Sequence, residues 1–185
     1  IDEPHRHIGQ VDLPAAVDHA TVDRLVAALS GTTGENEVAV RGDSLLGRRL
    51  VPAPAGPVDP WQPRGTVLIT GGTGALGAHV ARWAAANGAA HLVLTSRRGA
   101  DAPGAEELHR ELTELGAQVT IAACDVADAD DLAAVLAAIP ADEPLTAVVH
   151  AAGITQPEIP VGDLTPDVLA PILRVKVDGA RNLDA

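Results

Sequence analysis

From Thr66 onward, short unbroken apolar runs alternate with segments whose apolar positions recur at helical spacing. The runs are Thr66–Thr70, His91–Thr95, Gln118–Ala123 and Leu145–Val149. Brief aliphatic, β-branched stretches of this kind predict strands covered on both faces. Between them Ala75–Asn87 is Ala-rich and predicts a helix stopped by Asn87-Gly88. Gly104–Leu115 sets Leu108, Leu112 and Leu115 on one side and its charges elsewhere, and Gly116 ends it. Asp128–Ala138 carries a stripe of Leu132, Val135, Leu136 and Ile139. A long helix is predicted over Thr165–Leu183, with Leu169, Ile172, Leu173, Lys176, Ala180 and Leu183 on its core-facing stripe. Strand–helix alternation with short links predicts an α/β, doubly wound parallel sheet with right-handed crossovers. Only four strands are predicted where such sheets commonly carry about six. The sheet therefore reads as cut short at its C-terminal side, and the chain, which opens without Met, as a piece of something longer.

The pattern before Thr66 is different. Val11–Pro14 ends a short extended piece, and Asp18 or Thr21 caps a helix to about Leu29 with Val22, Leu25, Val26 and Leu29 as its stripe. Glu37–Arg41 alternates with period two, Gly42–Ser44 turns, and Leu45–Val51 reads as a returning strand. Arg48 and Arg49 are expected as exposed charges that blunt a sheet edge. Pro52–Pro60 cannot continue a sheet and predicts a stiff linker. Residues 1–60 and 61–185 are thus expected as two subdomains. His5-Arg6-His7 sets two imidazoles two residues apart, but no third ligand follows at a recognisable spacing, so solvated or hydrogen-bonded histidines are expected and no metal site.

The candidate chemistry sits where the runs end. Thr70-Gly71-Gly72-Thr73-Gly74-Ala75-Leu76-Gly77 joins a buried strand to a helix. Such a turn lets backbone approach a pyrophosphate, and the helix N-terminus offers amide hydrogens and a partial positive charge. Gly72-x-Gly74-x-x-Gly77 is weak by itself; the strand before and the helix after give it meaning. Ser96-Arg97-Arg98 follows the second run, with no carboxylate before Asp101. An acidic residue there would accept from a free ribose 2′-hydroxyl, whereas arginine forks match a 2′-phosphate. NADPH is therefore expected over NADH. Asp125 either accepts from an adenine amino group, with Val126 packed near the ring, or caps the next helix. Cys124 is expected as a small buried hydrophobe. His150-Ala151-Ala152-Gly153 ends the fourth run: the small residues let backbone approach the nicotinamide side, and His150 is either a general base or a packing and backbone-bonding residue. Lys176 either snorkels from the stripe to water or stands as an amine inside a site.

Composition narrows the partners. The 185 residues include no Phe, Tyr or Met and only two Trp, so the core must be aliphatic. A formal net charge of −12 argues against nonspecific nucleic-acid or anionic-membrane binding. One cysteine excludes a disulfide framework. With no signal peptide and no span approaching about 20 apolar residues, the expected compartment is the cytoplasm.

Together these motifs resemble the short-chain dehydrogenase/reductase superfamily, and more closely the ketoreductase domain of modular type I polyketide synthases. The glycine stretch, Ser96-Arg97-Arg98, Cys124-Asp125-Val126, His150–Gly153 and Lys176-Val177-Asp178-Gly179-Ala180-Arg181-Asn182-Leu183 carry the likeness. Gly9–Pro14 and Gly47–Leu50 are similar to the end of that family's structural subdomain. The resemblance implies NADPH-dependent reduction of a β-keto group on an acyl chain borne by an acyl carrier protein, beside neighbouring synthase domains. It implies that Lys176 lowers the pKa of a catalytic Tyr and orients the cofactor ribose. Cofactor contacts are implied for Gly71, Gly72, Thr73, Gly74, Ala75, Leu76, Gly77, Ser96, Arg97, Arg98, Asp125, Val126, His150, Ala151, Ala152, Gly153 and Lys176. The chain has no Tyr, so the proton donor is expected from the missing C-terminal part of the domain. Ile154-Thr155-Gln156-Pro157 replaces the Leu-Asp-Asp of one subgroup and points to the L-hydroxy-forming one. A non-catalytic scaffold or a free-standing reductase are the alternatives.

Overall fold

The computed structural model describes residues 9–31, 34–53, 56, 60–155 and 159–185. His5-Arg6-His7, part of the Pro-rich stretch and Gln156-Pro157 lie outside them. The chain divides into two compact units, Ile1–Val58 and Asp59–Ala185.

In the first unit β1 (Gln10–Asp12) pairs parallel with β2 (Glu37–Arg41), which turns back into antiparallel β3 (Ser44–Gly47). Helix α1 (His19–Leu29) starts at Asp18, whose carboxylate accepts from the Thr21 amide at 2.8 Å and hydroxyl at 2.7 Å. These bonds hold the carboxyl below the usual carboxylate range. The expected stripe is not the buried one. Thr21 is buried, while Val22, Val26 and Leu29 are 44%, 62% and 70% exposed. One small sheet covers one side of α1, and nothing among the described residues of this unit covers the other. The returning strand also ends at Gly47, well short of Val51. The Arg48 amide still donates to the Glu37 carbonyl at 3.1 Å, and the Arg48 and Arg49 guanidiniums pair with Glu37 at 3.0 Å and Glu35 at 2.8 Å.

The second unit is built on a four-stranded parallel sheet ordered β6-β5-β4-β7. Its strands are β4 (Thr66–Thr70), β5 (His91–Ser96), β6 (Gln118–Ala123) and β7 (Leu145–His150). β4 is buried along its whole length, and its side chains alternate between two cores. Val67 and Ile69 face α2 (Ala75–Ala86) and α3 (Ala105–Glu114) with Leu92, Leu94, Leu108 and Leu112. Leu68 and Val93 face α4 (Ala129–Ala137) with Leu132 and Val135. α2 presents Gly77, Ala78, Ala81, Ala84 and Ala85 to the sheet, so its small side chains replace the missing aromatic bulk by close approach. The two tryptophans stack outside both cores, Trp61 on Trp83 of α2 with ring centroids 5.5 Å apart.

The last predicted helix is interrupted. α5 (Pro166–Leu173) passes into a turn of π-helix over Arg174–Asp178 and resumes as α6 (Gly179–Asp184). The Gly179 amide donates to the Arg174 carbonyl five residues back. Val175 and Gly179 are buried while Leu173, Lys176 and Ala180 are exposed, so the inward face runs through Ile172, Val175, Gly179 and Leu183. The stripe expected through Lys176 and Ala180 is thereby corrected. No helix among the described residues is long and apolar enough to cross a membrane.

Candidate functional site

The order β6-β5-β4-β7 places the reversal of strand order between β4 and β7. In open parallel sheets a crevice forms there, beyond the carboxyl ends of the strands. A cavity of about 800 Å³ opens at that place. Register brings Thr70, Thr95 and His150 into line across three strands, with Ser96 opposite Ala123 on the fourth.

The glycine turn forms one wall. Gly71 is left-handed (φ 65°), and an added Cβ would lie 2.7 Å from Ala152 backbone. A Cβ on Gly72 would meet Leu94 at 2.7 Å, and one on Gly77 would reach the Gly71 carbonyl at 2.2 Å. These three glycines serve internal packing: they let the loop lie flat between β7, β5 and α2. Gly74 is the exposed one, and it begins α2 with no side-chain cap. The first amides of α2 have no carbonyl partner within the helix and follow directly on the cavity-lining Thr73 and Gly74. Thr73 and Gly74 line the cavity together with Gly71. Gly72, Ala75, Leu76 and Gly77 do not line it, and Leu76 is 74% exposed.

Ser96, Arg97 and Arg98 line the same cavity at the tip of β5. Ser96 Oγ is buried and has no hydrogen-bond partner among the described residues. Arg97 and Arg98 are exposed, and neither holds a hydrogen bond or ion pair through its guanidinium there. Two unspent guanidiniums and an unspent hydroxyl therefore converge on one edge.

At the tip of β6, Cys124 is buried and its thiol is pushed up to about 11, chiefly by burial and then by Asp131, Asp125 and Asp128. It is a packing residue, as expected. Asp125 does not cap α4. That role falls to Asp128, whose carboxylate accepts from the Asp130 and Asp131 amides. Asp125 Oδ1 instead accepts from the Ala127 amide at 3.1 Å, and Oδ2 from Arg174 at 2.6 Å. The Arg174 bond is the main reason the Asp125 carboxyl lies below its ordinary range. Val126 lines the cavity but is mostly buried, close to where a Cβ on Gly179 would sit, and its carbonyl accepts from Asn182 at 3.0 Å.

At the tip of β7, His150 Nδ1 is joined to Thr70 Oγ1 at 2.7 Å, and the Ala152 amide donates to the same oxygen at 3.3 Å. The sequence anticipated a backbone bond here; the threonine one strand away supplies a side-chain one. His150 Nε2 is buried and finds no partner of hydrogen-bonding geometry. Burial first, then the Lys176 ammonium, hold the ring below the ordinary histidine range, and the Val175 carbonyl pulls weakly the other way. Ala151, Ala152 and Gly153 line the cavity. A Cβ on Gly153 would lie 3.2 Å from Lys176 Nζ, so the missing side chain leaves room for the ammonium at the crevice rim.

Eleven of the candidate residues therefore line one cavity: Gly71, Thr73, Gly74, Ser96, Arg97, Arg98, Asp125, Val126, Ala151, Ala152 and Gly153. His150 stands behind its β7 wall, and Lys176 lies beside Gly153 at its rim. Arg174 was missed, because an arginine two positions before Lys176 gives no signal until the π-turn is known. Thr70 was read only as part of the glycine motif. The glycine cradle, the unpartnered Ser96 Oγ and the free guanidiniums suit a phosphorylated dinucleotide. Among the described residues no cluster of three or more His, Cys, Asp or Glu could hold a metal ion.

Residues 65–185 match the model of the KR domain family. The chain is 54% identical over 187 residues to the pikromycin polyketide synthase component PikAIII of Streptomyces venezuelae, a match covering 100% of this chain and 12% of that protein. It is 55% identical over 188 residues to the erythronolide synthase EryA3 of Saccharopolyspora erythraea, covering 100% of this chain and 6% of that protein. A solved structure described as an A1-type ketoreductase superposes with a TM-score of 0.77 at 53% identity, over 95% of this chain and 37% of the other.

Proposed function

This chain belongs to the KR domain family of modular polyketide synthases, and on that premise we propose that it forms the cofactor-binding part of an NADPH-dependent β-ketoacyl reductase. One observation carries the reading. Of the two buried side-chain polar atoms left without partners among the described residues, Ser96 Oγ and His150 Nε2, only Ser96 belongs to a residue that lines the cavity, beside the free Arg97 and Arg98 guanidiniums. Buried polar groups are otherwise satisfied, so such an orphan marks a place where a ligand completes the bonding.

The α2 N-terminus and the Thr73 amide would hold the pyrophosphate, the Gly74 amide being donated to the Gly71 carbonyl at 2.9 Å. Ser96, Arg97 and Arg98 would hold the 2′-phosphate, Asp125 the adenine amino group, and Ala151–Gly153 with Lys176 the nicotinamide ribose. When bound, the reduced nicotinamide supplies the hydride. Lys176 keeps its ammonium at the rim, beside the room Gly153 leaves, where it can stabilise a tyrosinate. With no Tyr among the 185 residues, that tyrosine belongs to another segment. Residues 1–60 would be the end of a structural subdomain and linker. The substrate would be a β-ketoacyl chain on an acyl carrier protein, delivered among neighbouring synthase domains in the cytoplasm. Ile154-Thr155 after Gly153, with the likeness to an A1-type ketoreductase, supports an L-configured hydroxyl product. The lack of Tyr favours, as a second reading, a scaffold without catalysis.

Incubating the intact protein with a β-ketoacyl thioester and either NADPH or NADH tests this. Consumption of NADPH with an L-hydroxyacyl product is expected. No turnover, with nucleotide still bound, would favour the scaffold, and a D-hydroxy product would overturn the subgroup assignment.

A further inference from the structure

Asp125 poses a problem that the NADPH reading, on which this inference rests, does not solve. Its carboxylate lies on the cavity wall shared with Arg97, close enough for Arg97 to favour its ionised form. An unpaired carboxylate there would repel an incoming phosphate dianion and draw Arg97 toward itself. The structure shows it engaged elsewhere. Oδ1 accepts from the Ala127 amide, and Oδ2 accepts from Arg174 Nη1 at 2.6 Å, 49 residues further along the chain.

Arg174 reaches Asp125 from the last helical segment. It begins the π-turn, and it lines, with Arg97, Asp125, Ile154 and Asp167, a separate hollow of about 390 Å³. Its guanidinium is the only one that hydrogen-bonds Asp125 among the described residues, and Arg97 is left without an ion pair. The carboxylate therefore sits between two guanidiniums, bonded to one and only near the other.

We propose that Arg174 is a selectivity-positioning residue: by neutralising and holding Asp125, it leaves Arg97 available to a ribose 2′-phosphate. It touches neither phosphate nor nicotinamide itself. Any bond from Asp125 to adenine is common to NADPH and NADH, so it cancels in the ratio of their affinities. Loss of Arg174 acts on that ratio through Asp125 and Arg97.

The test is titration calorimetry of the intact protein with NADPH and NADH, read as the ratio of the two dissociation constants. In Arg174→Gln the preference for NADPH should fall about two- to fivefold, the range for a partly exposed charge pair. NADH affinity should change less than about twofold. Arg174→Lys, which keeps the charge, should retain most of the preference. Adding Asp125→Asn to Arg174→Gln should restore it, since the competing carboxylate is gone. An unchanged ratio in Arg174→Gln overturns the inference while the NADPH reading stands. A fall that Asp125→Asn does not rescue also overturns it, because Arg174 would then be contacting phosphate directly. No NADPH preference in the unmodified protein defeats both.

Discussion

The two ends of the parallel sheet use the same parts to opposite effect. Each has a histidine on one strand bonded to a threonine of β4. At the amino end, Thr66 Oγ1 donates to the Glu143 carbonyl at 2.6 Å and so receives the His91 Nδ1 proton at 3.1 Å. His91 Nε2 then meets Thr120 Oγ1 at 2.9 Å. Both ring nitrogens are spent, and the polar chain closes on itself. At the carboxyl end, His150 Nδ1 meets Thr70, but Nε2 has no partner, and Ser96 Oγ is equally unmet. The closed end holds the sheet together. At the open end Ser96, which lines the cavity, withholds a bond that a ligand can make. A buried histidine on a strand says little; the unmet hydroxyl of Ser96 and the free guanidiniums of Arg97 and Arg98 on the cavity wall say which end is the site.

The most severe way to break the open end is Gly77→Ala. The new Cβ would lie 2.2 Å from the Gly71 carbonyl, so loop or helix must move. Overpacking of this kind costs about 1–3 kcal/mol, and displacing the loop should abolish NADPH binding, as denaturation and titration together would show. Next comes His91→Leu at the closed end. It removes two side-chain hydrogen bonds worth about 0.5–1.5 kcal/mol each, so urea denaturation should show a loss while nucleotide affinity of the folded protein stays the same. His150→Leu removes one such bond and one orphan, and should cost less stability than His91→Leu.

The pH dependence sharpens the same contrast. The folded pKa of His150 lies below the value of 6.5 it has when free, through burial and then Lys176. In the window just below 6.5 the unfolded chain binds the proton more readily than the folded one. The contribution of His150 to stability is therefore complete above that window and is lost as pH falls through it. His150→Leu should flatten this part of the stability profile. The smallest effect is expected from Trp61→Ala, whose ring stacks on Trp83 outside both cores. Breaking the stack should cost about 0.5–1.5 kcal/mol and alter tryptophan fluorescence, with NADPH affinity unchanged.

What the sequence made legible was local. Each strand of the main sheet is a short apolar run, and the glycine turn, Ser96-Arg97-Arg98 and Ala151–Gly153 lie at strand ends, so alternation alone brings them to one edge. What it hid was non-local or off-period. Lys176 lies off the predicted stripe with Leu173, because Val175 and Gly179, four residues apart, take the buried side instead. The Arg174–Asp125 bond joins positions that no motif links. The α1 stripe looked like a core face because periodicity reports amphipathicity and not whether a partner layer is present. Which glycines face a ligand and which face protein was likewise invisible until their neighbours were placed.

Hydrogen–deuterium exchange of the intact protein, with and without NADPH, tests the central claim most directly. The account predicts slower exchange at the amides of Gly72–Leu76 and Ser96–Arg98, with no change at His91 and Gln118 on the other end of the sheet. Unchanged exchange in both loops at saturating NADPH, or protection confined to the His91 end, would contradict it.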